Sequence, residues 1–373
     1  TKIDDTTIEI ALSERNAGFD VSSIEQGDFS LDSGTISSIE KASLSDGDTG
    51  TQTVIINLDS AVDDDTVAIS LQPDGIEDLN GNTQINGSVS AFRMDGVAPT
   101  LADASKVDAT TVEVNIFDGG SGIDKASIDQ SDFTLTTGTI SSIDTSGVSD
   151  GATGTQTVTL NLDAPVDTST LSVGLYSDGI DDKNGNTLSS GSTSVSGMDG
   201  VAPTLDGASK IDDTTIQVTL TDGVDIEEKT IDSSDFSLNT GSISYITPAE
   251  SESNTSVTLK LASKIDADTV DVSIVGSIED INGNSLTAGT QTVSDIDGVA
   301  PTLDRASSVD TTTIRVDISD GGSGIDKASI DPGDFILSSG SISEIDTSGV
   351  TDGAPGRQTV IIHLESPVDA DSV

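Results

Sequence analysis

The sequence contains no cysteine, no tryptophan and a single histidine. Without cysteine, the chain can form neither a disulfide nor a thiolate metal site. The histidine, His363, lies between the apolar residues Ile362 and Leu364 of an alternating run, so we expect it to face solvent. With no cysteine and no second histidine, the sequence excludes catalytic triads and histidine metal centres. Paired carboxylates are common in glycoside hydrolases, but no acidic pair is distinguished from the many other acids here. The residue types therefore indicate a protein that is not an enzyme.

Basic residues are also scarce, with 15 Lys and Arg against 65 Asp and Glu, for a formal net charge of −50. Such a field disfavours nucleic acid and anionic membranes as partners. High net charge with only 2% aromatics is typical of disorder, but 33% of the residues are hydrophobic and they fall in regular alternation. An acidic surface stays soluble in concentrated salt, where charges are screened. The composition resembles that of proteins from extreme halophiles; an ordinary acidic surface protein that binds calcium is the alternative.

Long apolar runs are missing as well, so the sequence predicts no membrane span and no signal peptide within this segment. The sequence consists of similar repeats of about one hundred residues. The first of them begins without its opening strand, and the last stops at a point that corresponds to the middle of the others. We therefore expect the chain to be an excerpt from a longer array, with any anchor outside it.

What the sequence does contain is a recurring connector, Asp-Gly-Val-Ala-Pro-Thr-Leu, at Asp95–Leu101, Asp199–Leu205 and Asp297–Leu303. The copies begin about one hundred residues apart, which is a typical domain length. Glycine permits an unusual turn, and proline stiffens the chain and favours an extended residue before it. The spacing predicts four repeats, residues 1–94, 95–198, 199–296 and 297–373. The predicted interdomain joints comprise Asp95, Gly96, Pro99, Asp199, Gly200, Pro203, Asp297, Gly298 and Pro301.

Within each repeat, short apolar–polar alternations are separated by glycine-containing turns. In the second repeat, Thr111–Phe117 places Val112, Val114 and Ile116 on one face, which is the pattern of a half-buried strand. Six more short runs follow the same rule, beginning with Leu101–Ala104 and ending near Ser192–Ser196. Seven short strands with no helical periodicity predict an all-β fold, an antiparallel β-sandwich repeated in tandem.

The connector, the Thr-Thr-Ile strand after it, the Asp-Phe-Ser-Leu strand and the late Asp-x-Asn-Gly-Asn turn together resemble the tandem immunoglobulin-like repeats of bacterial and archaeal surface proteins. This family includes adhesins, S-layer-associated proteins and surface filaments. The resemblance covers nearly the whole chain, but the cysteine–tryptophan–cysteine pattern of antibody domains is absent. It implies extracellular display on the cell surface, an extended rod of sandwiches, and often calcium at loops or joints.

The Asp-x-Asn-Gly-Asn turn places oxygen-bearing side chains at alternate positions, as the first ligands of many calcium loops are spaced. Glycine stands at the fourth position rather than the sixth, and no bidentate glutamate follows. An Asn-Gly turn capped by aspartate is therefore the alternative explanation. The candidate calcium ligands in the three copies are Asp78, Asn80, Asn82, Asp182, Asn184, Asn186, Asp280, Asn282 and Asn284.

The joint aspartates Asp95, Asp199 and Asp297 offer a second possible cation position, bridging neighbouring repeats. Acids at Asp4–Asp5, Asp108 and Asp212–Asp213 are candidates to complete it; a simple Asp-Gly turn is the alternative. Apart from calcium, the sequence indicates no cofactor. Two sequons, at Asn86 and Asn254, are candidate glycosylation sites.

These features predict a non-catalytic structural protein, forming a stalk, a surface filament or a layer of a halophilic prokaryote. We expect it to self-associate or to contact neighbouring surface proteins. The alternatives are an adhesin or carbohydrate-binding array that recognises a glycan or another cell, and a viral tail or spike fibre. With seven Phe, two Tyr and no Trp, the chain has few aromatics for carbohydrate platforms, which favours the structural role.

Overall fold

The computed structural model of the protein describes residues 1–251 and 254–368. Its regular structure consists of antiparallel β-strands and seven short 3₁₀ turns among these residues. The chain divides into two compact units, Thr1–Gly200 and Val201–Val373. In the described ranges, no helix combines the length and hydropathy needed to cross a membrane.

The first unit contains fourteen strands, seven from each of the first two sequence repeats. Those of the first repeat are β1 (Lys2–Asp4), β2 (Thr7–Glu14), β3 (Phe29–Leu31), β4 (Ile36–Glu40), β5 (Gly50–Leu58), β6 (Thr66–Leu71) and β7 (Gly87–Phe92). Those of the second repeat are β8 (Thr100–Asp108), β9 (Thr111–Asp118), β10 (Phe133–Leu135), β11 (Ile140–Asp144), β12 (Gly154–Leu162), β13 (Thr170–Leu175) and β14 (Gly191–Ser196).

The second unit has nine strands in the third repeat and four in the described part of the fourth. The third repeat contributes β15 (Thr204–Asp212), β16 (Thr215–Thr221), β17 (Phe236–Leu238), β18 (Ile243–Ser251), β19 (Asn254–Leu261), β20 (Thr269–Ile274), β21 (Ile278–Glu279), β22 (Ser285–Leu286) and β23 (Gly289–Ser294). The fourth contributes β24 (Thr302–Asp310), β25 (Thr313–Asp320), β26 (Ile342–Asp346) and β27 (Gly356–Leu364).

Each of the first three repeats contains a four-stranded and a three-stranded antiparallel sheet, and the third adds the small pair β21-β22. In the second repeat, one sheet has the order β8-β9-β12-β11 and the other has the order β10-β13-β14. Val114 pairs with Val158 across the first sheet, and both side chains are fully buried. Leu171 and Val173 of the second sheet belong to the same apolar cluster. The two inner faces therefore form one core, and the predicted all-β antiparallel sandwich is confirmed.

Most of the strands predicted in the second repeat lie where the alternation places them, because one face of each is buried. The first strand is longer than predicted, running from Thr100 to Asp108 rather than Leu101–Ala104. Almost all of its residues are exposed, so its sequence does not need to alternate apolar and polar residues. Register shifts near Leu101 and near Lys106 interrupt the alternation further.

Short 3₁₀ turns lie in the segments that lead to Phe29, Phe133, Phe236 and Phe335, and the sequence gives no helical signal for them. They cover Gln26–Asp28, Lys125–Ser127, Gln130–Asp132, Glu228–Thr230, Ser233–Asp235, Lys327–Ser329 and Pro332–Asp334. In the second repeat, Asp129 caps the turn before Phe133, and Asp132 closes the capping box by accepting from the Asp129 amide at 2.7 Å. Part of the acid content thus serves local backbone capping.

The connector after β7 is attached to the repeat that it leaves. Val62 and Asp95 form an isolated parallel bridge, and the Gly96 amide donates to the Val62 carbonyl at 3.1 Å. The chain then enters β8 at Thr100. The bridge and this hydrogen bond fix the position of the Asp95 side chain relative to the first repeat.

Candidate metal centre at a repeat joint

Three aspartates of the first unit converge beside this connector. Asp63 lies in the turn between β5 and β6, Asp95 begins the connector, and Asp118 ends β9. One carboxylate oxygen from each lies within 4.8 Å of the other two. Asp95 and Asp118 are buried, and Asp63 is exposed. We call these three residues the joint triad; it contains acids from two successive repeats.

The backbone around the joint triad is arranged to approach it closely. The Gly119 amide donates to Asp63 Oδ1 at 3.1 Å, and the Ser121 amide donates to Asp95 Oδ2 at 2.7 Å. A Cβ atom on Gly120 would lie 2.3 Å from Asp95 Cγ. The Asp118-Gly-Gly-Ser-Gly loop therefore needs glycine at position 120 so that its backbone can pass beside the buried carboxylate.

Asp118 is the least satisfied member of the joint triad. Its side chain is 2% exposed; Oδ2 accepts from the Gly122 amide at 2.6 Å, whereas Oδ1 is buried without a hydrogen-bond partner. A buried carboxylate oxygen without a donor is costly unless a cation or a proton satisfies it. The Asp118 carboxylate lies next to those of Asp63 and Asp95, so its unpartnered oxygen indicates where a cation would bind.

The pKa values of the two buried members reflect the same crowding. Burial raises the pKa of Asp118 to about 6, with further contributions from the charges of Asp95, Asp182 and Asp63. Burial also raises the pKa of Asp95, despite hydrogen bonds from the Val97 and Ser121 amides. Burial is thus the main cause of both raised pKa values, and for Asp118 the neighbouring carboxylates add to it.

The predicted calcium loop of the second repeat lies at this joint, and its side chains mainly bind one another. Asp182 Oδ1 accepts from the Asn184 and Asn186 amides, each at 2.8 Å, and Oδ2 accepts from Asn186 Nδ2 at 2.6 Å. The Nδ2 groups of Asn184 and Asn186 both donate to the Asp95 carbonyl at 3.2 Å. The loop therefore ties the second repeat to the connector.

The equivalent loops in the other repeats have the same internal geometry. Asp78 Oδ1 accepts from the Asn80 and Asn82 amides, and Asp280 Oδ1 accepts from those of Asn282 and Asn284. The turn alternative accounts for these hydrogen bonds without a metal. Calcium binding by these nine loop residues stays a prediction.

The remaining predicted positions are placed as follows. Asp199 is buried, as Asp95 is, whereas Asp297 is partly exposed. In the second unit, Asp297 accepts from the Val299 and Ser323 amides. Asp4, Asp108 and Asp212 instead accept from the amide of the threonine two residues later, as in an Asx turn.

Among the candidate glycosylation sites, Asn86 is exposed in the loop before β7. The side chain of Asn254 lies outside the described residues.

Asp63 and Asp118 were not among the candidate ligands from the sequence. A signal for both was present, because an aspartate recurs at the equivalent positions, Asp167 and Asp266 for the first and Asp222 and Asp320 for the second. In the second unit, Gly321 donates to Asp266 Oδ1 at 2.9 Å and Gly324 donates to Asp320 Oδ2 at 2.8 Å, as their counterparts do in the first.

The donor set of the joint triad consists of carboxylate oxygens. Calcium takes six to eight oxygen ligands and is compatible with several carboxylates, backbone carbonyls and water. The absence of nitrogen and sulfur ligands in the cluster disfavours zinc and copper. The residues present therefore fit a hard divalent cation, to which Asp63, Asp95 and Asp118 would supply charge.

The fold defines a class: tandem immunoglobulin-like β-sandwich repeats. The chain is 30% identical to halomucin from the haloarchaeon Haloquadratum walsbyi in a 308-residue alignment that covers 78% of this chain. It is a homologue of that part of halomucin, and the homology indicates an extracellular, cell-surface protein. The chain spans 3% of the length of halomucin. No protein-family model matches the chain.

Solved structures offer more distant similarities. The Escherichia coli adhesin FdeC is 13% identical, with a TM-score of 0.36, over 78% of this chain and 93% of that one. The N-terminal part of the bacterial S-layer protein SbsC is 19% identical, with a TM-score of 0.22, over 53% of this chain and 45% of that one. Human desmocollin-1 is 13% identical, with a TM-score of 0.27, over 92% and 67%. At these TM-scores the similarities carry no argument about function.

Proposed function

We propose that this chain is a non-catalytic structural segment of a cell-surface stalk, filament or layer, in which calcium at the repeat joint restrains successive β-sandwiches. The observation that carries the proposal is the unpartnered, buried Oδ1 of Asp118 within a cluster of acids from two repeats. A cation there would contact both repeats at once. Its binding free energy would therefore stabilise the joint rather than either sandwich alone.

The electrostatics support a structural cation over a bare cluster. The members of the joint triad repel one another when ionised, and two of them are removed from water. Concentrated monovalent salt screens charges in solvent but has much less effect on buried charges. A halophilic surface protein can thus leave its exposed acids to the surrounding salt, whereas the joint needs a bound ion.

The adhesin alternative calls for an exposed aromatic platform. The exposed aromatic side chains of the described residues are Phe92, Phe117, Tyr176 and Tyr245. They belong to three different sequence repeats and to different strands or loops. This scatter favours the structural role over recognition of a glycan.

The test is isothermal calorimetry of calcium binding to the full chain in low and in molar potassium chloride, together with limited proteolysis of the connector. We expect saturable calcium heat that is reduced at least tenfold in affinity by Asp118→Asn, and slower cleavage between residues 95 and 99 when calcium is present. The exposed, remote Asp163→Asn is the matched control and should bind as the parent does. Absence of calcium heat at both salt concentrations would contradict the proposal.

A further inference from the structure

Three of the five arginines of this acidic chain lie on one sheet face of the fourth repeat. Arg305 is on β24, Arg315 is on β25 and Arg357 is on β27, which are neighbours in the sheet. Their side chains are 57%, 44% and 58% exposed, respectively. We call these three residues the arginine face.

Two aspartates hold the arginine face in position. Asp317, which is fully buried beneath it, accepts from Arg305 Nε at 2.8 Å and from Arg315 Nε at 2.9 Å. Asp304 accepts from Arg357 Nε at 2.8 Å. Hydrogen bonds from Arg305 and then Arg315 hold the pKa of Asp317 far below its usual range. The carboxylates therefore stay ionised and fix the guanidinium planes at any physiological pH.

The guanidinium groups of Arg305 and Arg357 retain a second edge for another ligand. Arginine has five N–H donors, and the pairs above use one Nε–H each. Arg315 Nη2 donates to Thr359 Oγ1 at 3.2 Å, whereas the Nη groups of Arg305 and Arg357 donate no hydrogen bond to any described residue. Two Nη donors on one edge match the two oxygens of a carboxylate. The arginine face therefore offers preorganised sites for carboxylates from outside.

The second repeat has acids at the equivalent positions of the equivalent sheet. Arg305 pairs with Asp317 in the strand register, and Asp103 occupies that position opposite Asn115. Likewise Arg315 lies opposite Ser307, and Glu113 lies opposite Ser105. We call Asp103 and Glu113 the acidic face. The two faces have the same strand geometry and opposite charge.

We propose that the arginine face of one copy of the chain docks on the acidic face of a second copy. The contact joins different surfaces, so it is heterologous, and each copy keeps one unused face for a further neighbour. Where the two unused faces engage further copies rather than each other, the contact repeats and the assembly grows beyond a dimer. It concerns assembly between chains and does not depend on a cation at the joint.

Direct arginine–carboxylate pairing suits concentrated salt better than long-range attraction does. At about 1 M salt the screening length falls to about 3 Å, so distant charges no longer interact. Bidentate contacts act at hydrogen-bond distance, and guanidinium is weakly hydrated. The arginine face can therefore distinguish a matching surface among a large excess of solvated acids.

The test is sedimentation equilibrium of the full chain in molar potassium chloride over a range of protein concentrations. The parent should give masses that rise with concentration beyond twice that of one chain. Asp103→Asn with Glu113→Gln should lower the association constant at least tenfold. The matched control, Asp59→Asn with Asp163→Asn, makes the same charge change at exposed acids outside both faces and should associate as the parent does.

Mixing variants tests the heterologous geometry itself. A variant with Arg305→Gln, Arg315→Gln and Arg357→Gln lacks the arginine face, and the acid variant above lacks the acidic face. Each alone should be monomeric, and their mixture should form a one-to-one dimer and nothing larger. Should the arginine variant fail to fold by circular dichroism, Arg357→Gln alone replaces it. A parent that stays monomeric, or an acid variant that associates as the parent does, overturns the proposal.

Discussion

Asp95 and Asp118 bring carboxylate oxygens within 4.8 Å of each other although Asp95 lies in the connector, which is bridged to Val62 of the first repeat, and Asp118 ends β9 of the second. The hydrogen bonds that they accept come from the backbone amides of Val97, Ser121 and Gly122. Amides help to satisfy carboxylate oxygens but do not neutralise two like charges. Binding a cation, binding a proton or replacing one of the acids should each reduce the repulsion between these two carboxylates.

Asp118→Asn should separate stability from cation binding. The substitution removes one of the repelling charges, so we expect the cation-free chain to gain about 1–2 kcal/mol in its free energy of unfolding. Calcium should then add little, because the ligand with the unpartnered oxygen is lost. Denaturant unfolding in EGTA and in calcium measures both effects. A variant that is destabilised in EGTA and still stabilised by calcium would contradict the assignment.

The pH dependence has a definite sign. The pKa of Asp118 is raised from 3.8 to about 6, so the folded, cation-free chain holds a proton that the unfolded chain releases. This group therefore stabilises the fold below pH 4, and the contribution is lost as the pH rises from about 4 to about 6, on the order of 3 kcal/mol in all.

The measurement for this group is the difference in unfolding free energy between the parent and Asp118→Asn at pH 4, 5, 6 and 7 in EGTA. Using the difference cancels the opposite trend from aspartates with lowered pKa values, such as Asp317. Calcium should remove the loss above pH 6 because it replaces the proton. A difference that does not change with pH would refute the raised pKa.

Gly120→Ala should weaken the joint by a steric clash between the added methyl group and Asp95, without removing any charge. The added Cβ would lie 2.3 Å from Asp95 Cγ, and Asp95 is a short, buried side chain with little room to move. We expect a loss of about 1–3 kcal/mol and at least tenfold weaker calcium binding. Gly207→Ala is the matched control, because no atom lies within 4 Å of its added Cβ. Equal effects in both variants would exclude this explanation.

Asn186→Ala and Asn82→Ala compare the same loop with and without a joint contact. Asn186 Nδ2 donates to buried Asp182 and to the Asp95 carbonyl, whereas Asn82 Nδ2 donates to Asp78 in a more exposed loop. We expect a cost of about 1–3 kcal/mol for Asn186→Ala and a smaller one for Asn82→Ala, by thermal unfolding. If Asn82→Ala removes one bound calcium by calorimetry, the loop itself is a calcium site.

The strands could be predicted from the sequence because their burial alternates. Val112, Val114 and Ile116 are each fully buried, so the period of two is unbroken. The exposed strand β8 was recognised in only part of its length, since exposure removes that signal. Asp95 was predicted as a joint residue from the repeated connector. Its partners Asp63 and Asp118 were missed because they are distant in sequence and resemble the many surface acids.

The bridge between Val62 and Asp95 bears on how the chain would respond to a pull along the connector. Force applied at Pro99 reaches the hydrogen bond from Gly96 to the Val62 carbonyl before it reaches the sheets of the first repeat. This bond lies outside the strands, so it can open without unfolding a sandwich, and the Met94 amide, which donates to the Asp65 carbonyl at 3.0 Å, holds the chain behind it. The connector would thereby yield first under tension and re-form on release.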